Sequence, residues 1–269
     1  MSWLDAIILG LVEGITEFLP ISSTGHLILT QSLLGLHGDA IERHIIIIQA
    51  AAILAVCWEF RQKLIHTAVS LQSDPLARRF VVNLFVAFLP LAILGLLFKK
   101  QLEAVLFKPV PVAIALVVGG LIILWAERRK HSERVTSVDQ LTAVDALKLG
   151  FFQALALIPG TSRSGATIIG GLLSGLSRRT AAEFSFFVAI PVMFAAAAYE
   201  IFKARKEFVI TDVEPLVLSC VVSFISALVA TKLLLRFITR HSFAAFAWYR
   251  IVFGAIILIT AYTGLVHWD

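Results

Sequence analysis

Six apolar runs dominate the chain, near positions 44–60, 80–98, 111–126, 183–202, 214–235 and 246–265. Most approach the roughly 20 residues with which an α-helix crosses the hydrocarbon core of a bilayer. Two further apolar stretches are each interrupted in the middle by helix-ending residues. In the first the interruption is Phe18-Leu19-Pro20-Ile21-Ser22-Ser23-Thr24-Gly25, and in the second Ile158-Pro159-Gly160-Thr161-Ser162-Arg163-Ser164-Gly165. Proline cannot continue a helix, and clustered Gly and Ser favour turns. A half-segment such as Trp3 to Phe18 is too short to cross, so the pattern predicts two re-entrant helical hairpins that dip in, break and return to the same face. Broken backbone at membrane depth is tolerated only where protein or a wet cavity satisfies its polar groups, which places both breaks inside the bundle.

The two interrupted stretches, Asp5 to Leu36 and Asp145 to Leu176, are copies of each other at a constant offset of 140 positions, with Gly10 matching Gly150 and no gap. Asp5 pairs with Asp145, Ser22 with Ser162, Gly25 with Gly165 and Gly35 with Gly175, and Lys63 and Lys203 extend the match. Where the copies differ, the difference is chemical: Glu13, Glu17, Ser23 and His26 face Gln153, Leu157, Arg163 and Ala166. Shared residues read as scaffold and unshared ones as function. Three crossings lie between the copies, an odd number, so the second is expected upside down. The expected fold is an all-α integral membrane protein, one domain over 1–269, with six transmembrane helices and two re-entrant hairpins in an inverted-topology repeat. Repeat one covers about 1–129 and repeat two about 141–269, an architecture that builds a site at the repeat interface.

Composition agrees: 59% of the 269 residues are hydrophobic, 15% are charged, and the mean hydropathy is +0.90. Net charge +5 would hint at nucleic acid in a soluble protein, but here the basic residues sit in short loops beside spans, where topology and anionic headgroups account for them. One face is expected to collect Arg61, Lys63, Arg78, Arg79, Arg128, Arg129, Lys130, Arg134, Arg178, Arg179, Arg236 and Arg240, and the other Arg43, Lys99, Lys100, Lys108, Lys203, Arg205 and Lys206. With the first group cytoplasmic, the first hairpin opens to the outer side and the second to the inner. Trp3, Trp58 and Trp125 near span ends are expected interfacial anchors. Met1-Ser2-Trp3 lacks a basic region before it, so no removable signal peptide is expected. Cys57 and Cys220 each lie in a predicted span, where buried packing is expected rather than a disulfide or metal pair.

Glu13 and Glu17, four positions apart on a short helix, put two carboxylates on one face. Inside a membrane such a pair needs compensation: a divalent cation, a shared proton or a nearby guanidinium. Ser22-Ser23-Thr24-Gly25-His26 opens the returning helix. One of its serines is expected to cap that helix, whose first N–H groups can also receive an anion. Ser23 with His26 is a hydroxyl beside an imidazole, a pairing that activates an oxygen nucleophile or water. Pro159-Gly160-Thr161-Ser162-Arg163-Ser164-Gly165-Ala166-Thr167 is the strongest anion-binding signal, with glycines for close approach, donating hydroxyls and a guanidinium that grips two phosphate oxygens. It lacks the Gly-Lys-Ser/Thr of a Walker loop. Together these residues form the inventory of a phosphoryl-transfer site. Gly10-x-x-x-Gly14 and Gly171-x-x-x-Gly175 read as helix-packing faces, and His37, His44, His66, His131, His241 and His267, near loops or interfaces, carry no assignment. An anion or lipid-phosphate transporter or channel is the alternative, since inverted repeats also build carriers. Glu13 and Glu17 weigh against it, because they repel anions unless a metal or proton intervenes.

Glu13-x-x-x-Glu17, Pro20-x-Ser22-Ser23-Thr24-Gly25-His26 and Pro159-Gly160-x-Ser162-Arg163-Ser164-x-x-Thr167 resemble the signature regions of the bacterial undecaprenyl-diphosphate phosphatases, also called bacitracin-resistance proteins. The similarity extends through Glu183-Phe184-Ser185-Phe186 and Tyr249-Arg250. The resemblance implies hydrolysis of undecaprenyl diphosphate to undecaprenyl phosphate and inorganic phosphate, recycling the lipid carrier for cell-wall synthesis and conferring bacitracin resistance. It implies a multi-pass protein of the bacterial cytoplasmic membrane with its site facing the periplasmic side, and dependence on a divalent cation, Mg or Ca. Carried across, Glu13 and Glu17 become acid/base or metal-binding groups, Ser23 the nucleophile, His26 its partner and Arg163 the diphosphate clamp. Ser22, Thr24, Ser162, Ser164 and Thr167 become phosphate contacts, with attack by His26 or by water left open. The expected partners are the prenyl diphosphate and membrane lipids, with a second copy of the chain as a candidate and no nucleic acid.

Overall fold

The computed structural model describes residues 1–129, 132–204 and 213–263. Lys130, His131, Arg205, Lys206 and His267 lie outside the described residues, as do the side chains of Lys99, Lys100 and Lys203. The elements are α1 (Trp3–Thr16), α2 (Ser23–Leu34), α3 (Asp39–Glu59), α4 (Arg61–Val69), α5 (Pro75–Leu106), α6 (Pro109–Glu127), α7 (Ala143–Ala154), α8 (Arg163–Leu173), α9 (Arg178–Ala204), α10 (Val213–Phe237) and α11 (Ala244–Thr263). Short 3₁₀ turns add Val138–Gln140 and Leu155–Leu157.

Six of these helices, α3, α5, α6, α9, α10 and α11, contain stretches long and apolar enough to cross a membrane, the number the apolar runs predict. Their outward faces carry Phe85, Ile93, Ile114, Ile122, Val221 and Ile259, each roughly half exposed. Water would not tolerate so continuous an apolar surface, and the chain is an integral membrane protein. Trp58 and Trp125 stand at span ends with the guanidinium groups of Arg61 and Arg129 over their rings, at 4.9 and 4.1 Å. Cys57 and Cys220 are free thiols, half-buried rather than fully buried. His44 is not an interface residue: it is buried in the bundle, its Nε2 2.9 Å from the Ser219 hydroxyl.

The four remaining longer helices repeat one local design. Ser2 and Thr142 cap α1 and α7, and each cap is closed by a reciprocal contact to the aspartate three residues on, Asp5 or Asp145. After the breaks, Ser22 and Ser162 cap α2 and α8 in the same rare conformation, with φ of 73° and 71°. They are the positive-φ non-glycine residues among those described. Such a backbone costs roughly 1–3 kcal/mol and persists only where the surroundings over-determine it. Here each hydroxyl accepts from a backbone N–H, Gly25 at 3.4 Å and Gly165 at 3.1 Å, which a glycine could not offer.

Packing follows the same repeat. Gly10 brings α1 against α10, where a Cβ would lie 2.6 Å from the Ser219 carbonyl oxygen, and Gly150 brings α7 against α5, 2.6 Å from the Ala87 carbonyl oxygen. Gly14 continues the α1 contact against Ser226, as a close-packing face requires. The second glycine pair is a partial correction. Gly171 packs on Ala181, but Gly175 adopts φ 82° and turns the chain out of α8.

One end of the bundle gathers the polar connections. Lys63 pairs with Asp139 at 2.5 Å, and Arg79 donates to the Asp139 carbonyl. Arg134 pairs with Asp145 and Arg178 with Glu127, each at 2.5 Å, while Glu127 also accepts from the Phe243 N–H at 2.8 Å. Several basic residues assigned to one face are therefore held at one end, beside the start of α5 and the loop after α10.

Candidate active site

The two breaks meet in the interior. Pro20 and the cap of α2 stop α1 short, and Pro159-Gly160 does the same ahead of α8. The Ser164 hydroxyl donates to the Leu19 carbonyl at 2.8 Å, joining one break directly to the other.

At the junction stands Glu17, the C-cap of α1, one helical turn after Glu13. Its Oε2 accepts from the Ser23 hydroxyl at 2.5 Å. Its Oε1 lies 3.4 Å from Nη2 of Arg163, whose Nη1 donates to the Ser185 carbonyl at 2.9 Å. The Glu17 and Arg163 side chains are each 9% exposed. A hydroxyl is thus presented to a carboxylate that a buried guanidinium orients from the other side. Removing either member of such a pair leaves an uncompensated charge, at about 3–5 kcal/mol. Ser23 and Arg163 occupy equivalent positions in the two copies, so one carboxylate joins the residues that most distinguish them.

Glu13 is fully buried, and neither of its carboxylate oxygens has a hydrogen-bond partner among the described residues. Buried polar atoms are ordinarily satisfied, so this carboxyl calls for a proton or a cation. No cluster of three or more His, Cys, Asp and Glu side chains forms among the described residues. Glu13 and Glu17 could therefore supply only part of a coordination sphere, with phosphate and water oxygens completing it, as Mg²⁺ ordinarily requires.

His26 does not join this group. Its Nδ1 lies 2.7 Å from the Ser22 carbonyl, and its Nε2 lies 2.6 Å from the Tyr249 hydroxyl. The ring stacks on Phe253 at 4.2 Å. A carbonyl only accepts, so Nδ1 carries a proton, and in the neutral ring Nε2 accepts from Tyr249. The expected Ser23–His26 pairing is replaced by Ser23–Glu17. Of the expected phosphate contacts, Ser22 and Ser162 spend their hydroxyls as caps, Ser164 on the Leu19 carbonyl and Thr167 on the Arg163 carbonyl at 2.8 Å. Thr24 is half-buried in the first turn of α2. Of the first backbone N–H groups of the two helices, those of Gly25 and Gly165 are taken by the caps, which leaves the N–H groups of Ser23, Thr24, Arg163 and Ser164 to face an anion.

A residue of α11 holds the arrangement together. Arg250 is 1% exposed and donates to the carbonyls of Leu116 and Ala115 on α6, of Pro20 in the first break, and of Gly160 and Thr161 in the second. Their distances run from 2.9 to 3.3 Å. None of these acceptors is a carboxylate. The guanidinium replaces the backbone donors that both breaks lack, and Gly119 and Gly165 make room for it.

The family model for the bacitracin resistance protein BacA matches residues 6–256. The chain belongs to this family. Similar BacA relatives include the protein named undecaprenyl-diphosphatase from Nitrosospira multiformis, 58% identical over the whole of both chains. The protein named undecaprenyl-diphosphatase 2 from Rhodospirillum rubrum is 58% identical over 99% of this chain and 97% of its own. An undecaprenyl-diphosphatase from Pseudomonas putida is 56% identical over 98% and 96%. In this BacA-family chain Glu17, Ser23, Arg163, Leu19 and Ser164 meet in space, Glu13 lies one turn behind Glu17 without a hydrogen-bond partner among the described residues, and His26 is drawn to Tyr249. Arg250 entered the sequence analysis only through the resemblance. The signal that could have found it is an arginine in the middle of an apolar run with no acid within a turn of it.

Proposed function

We propose that the chain removes the terminal phosphate of undecaprenyl diphosphate, the reaction its relatives' names describe, and that Ser23 attacks. The observation that carries this reading is the contact of the Ser23 hydroxyl with Glu17, itself oriented by Arg163. Ser23 Oγ forms a bond to the distal phosphorus as its proton passes to Glu17. The bond from that phosphorus to the bridging oxygen breaks, and undecaprenyl phosphate leaves. Glu17 passes that proton to the departing phosphate oxygen; as a carboxylate again it takes a proton from water, whose oxygen bonds to phosphorus as the bond to Ser23 Oγ breaks, and Glu17 returns the proton to Ser23 Oγ, leaving inorganic phosphate. Arg163 grips the charge that spreads over the phosphoryl oxygens, assisted by the N-termini of α2 and α8. Glu13 and Glu17 would hold a divalent cation, Mg or Ca, which neutralises diphosphate charge when bound. His26, held by Ser22 and Tyr249, lines the substrate side of the first turn.

The inverted repeat belongs to the same reading. α1 begins beside the start of α10, α7 begins beside the start of α5, and α10 ends at the polar end where α5 begins. Two hairpins entering from opposite ends and meeting at their breaks account for these contacts. With the basic end cytoplasmic, in the bacterial inner membrane, the first hairpin opens to the periplasm. A carrier would have no use for a hydroxyl seated on a carboxylate.

The test is phosphate release from undecaprenyl diphosphate by purified protein, with and without chelator. Wild type should release phosphate, lose activity with chelator and regain it with Mg²⁺ or Ca²⁺. Ser23→Ala should be inactive; near-normal turnover would exclude a phosphoserine and favour water or His26. Trapping the phosphoryl group on His26 would decide against Ser23.

A further inference from the structure

α1 covers only the first half of α10. Ala6 and Gly10 lie beside Ser219, and Gly14 beside Ser226 and Ala227, after which the chain turns back at Glu17. The second half of α10 is left without that neighbour, and the space is a groove of about 1320 Å³. Its walls include Ile15, Leu19, Val229 and Leu233, and its far rim is basic, with Arg236 and Arg240. Lys232, one turn earlier, pairs with Glu59 at 3.5 Å. Arg236 and Arg240 form no ion pair among the described residues and are exposed.

The groove is separate from the catalytic cluster. Ile15 lies on the opposite side of α1 from Glu13 and Glu17, as positions two apart on a helix do. Leu19 alone belongs to both places, with its side chain in the groove and its carbonyl on the Ser164 hydroxyl. An apolar trough open to lipid and ended by two cations matches one ligand chemistry: acyl chains attached to a single anionic phosphodiester. Its volume exceeds the roughly 300–1,000 Å³ of ordinary small-molecule clefts, as bulky lipid chains require. The rim has exposed guanidinium groups; its Thr239 hydroxyl donates to the Arg236 carbonyl at 2.7 Å and the His241 Nδ1 lies 3.2 Å from the Phe237 carbonyl, so the two arginines are its charged anchors.

We infer that this groove binds an anionic phospholipid from the leaflet at the C-terminal end of α10, its phosphate between Arg236 and Arg240 and its chains beneath the first hairpin. Bound there, the lipid fills the half of the membrane that the hairpin leaves open and braces Leu19 against the second break.

The full-length protein in nanodiscs with equal phosphatidylglycerol and phosphatidylcholine, released into native mass spectrometry, tests this directly. Wild type should retain phosphatidylglycerol about tenfold or more over phosphatidylcholine, as two arginines near a membrane surface warrant. Arg236→Gln with Arg240→Gln should bring the ratio to about one, with an unchanged circular dichroism spectrum. Leu233→Trp should lower retention of both lipids. Equal retention by wild type, or selection persisting in the double variant, would overturn the site. Displacement of phosphatidylglycerol by equimolar undecaprenyl phosphate, or a lipid-free dimer in its place, would overturn its occupant. Phosphate release measured on the same samples reports the catalytic cluster separately, so failure of one reading is distinguishable from failure of the other.

Discussion

The two hairpins share a skeleton and divide the chemistry. Both open on a capping box, break at a proline, restart on a serine with φ near 70° and end at a left-handed glycine. Upon that skeleton the first places Glu13, Glu17, Ser23 and His26, and the second Gln153, Leu157, Arg163 and Ala166. Gln153, the counterpart of Glu13, is equally buried but donates to the Ala87 carbonyl of α5 at 3.3 Å, a packing bond to a helix outside its own hairpin. Leu157, the counterpart of Glu17, packs beside Gly95. The acidic half is left with carboxylates that its own hairpin cannot compensate, and the cationic half with a guanidinium that has no acid of its own. The same local geometry occurs twice, and the residues that differ make each copy depend on the other.

The comparison breaks most sharply at Glu17, the carboxylate that joins the halves. Glu17→Gln removes both the acceptor of the Ser23 hydroxyl and the partner of Arg163, and with Glu17 as the proposed base kcat should fall by about 10²–10⁴-fold, the usual range for a positioned general base. Steady-state phosphate release measures it. Next comes Arg163→Lys, which keeps the charge but loses the planar fork. Turnover should fall by about 10²–10³-fold. Wild-type-like activity would show that charge alone suffices.

Glu13 and Gln153 sharpen the contrast at one pair of positions. Glu13→Gln should raise the divalent-cation concentration needed for half-maximal activity by about 10–100-fold, a span typical for loss of metal-site support. Gln153→Glu should leave that requirement unaltered. A cation titration of phosphate release distinguishes the two, and equal shifts would mean that Glu13 holds no metal.

Arg250 tests whether the halves need an external tie. An ammonium cannot span carbonyls from α6 and from both breaks, so Arg250→Lys should strand several buried acceptors, each costing about 1–3 kcal/mol. A loss of about 3–5 kcal/mol is expected, visible as a lower Tm in detergent together with reduced turnover. Unchanged stability would mean that contacts such as Ser164 to Leu19 suffice to hold the breaks together.

Much of this was legible in the chain, for reasons that can be named. Six spans follow from apolar length, and the breaks follow from Pro20 and Pro159-Gly160, whose backbone chemistry acts locally. Glu17, Ser23 and Arg163 stood out because ionisable or nucleophilic groups at a membrane break are costly unless they meet. Local signals failed where an apolar run is a poor proxy for a helix. α3 begins at Asp39, ahead of its run, because Asp39 and Glu42 favour a helix N-terminus. α4 is too polar and short to register at all. Tertiary contacts were the rest: the ring of His26 turns to the Ser22 carbonyl and to Tyr249, 223 positions away. No spacing rule within α2 foretells that.

The smallest expected difference lies at the hairpin mouths, where the two capping boxes set an aspartate against a serine in one copy and a threonine in the other, with different support. Asp5 is half-buried, and its carboxyl is held low by hydrogen bonds from the Ser2 side chain and backbone. At Asp145, burial alone would raise the carboxyl, but hydrogen bonds from Arg134 and Thr142 outweigh it and hold it below the usual carboxylate range. A folded-state value below the unfolded one contributes stability above about pH 4, which is lost as pH falls through the lower folded value. Asp145→Asn should therefore cost about 1 kcal/mol at neutral pH, the scale of a helix cap, and Asp5→Asn less, since no guanidinium among the described residues pairs with it and solvent reaches it. Below about pH 4 the wild-type carboxyls are progressively protonated and the three proteins should converge. Thermal unfolding at pH 7 and pH 3 checks both claims. An Asp145→Asn deficit that persists undiminished at pH 3 would locate its origin in packing rather than in the charge that Arg134 receives.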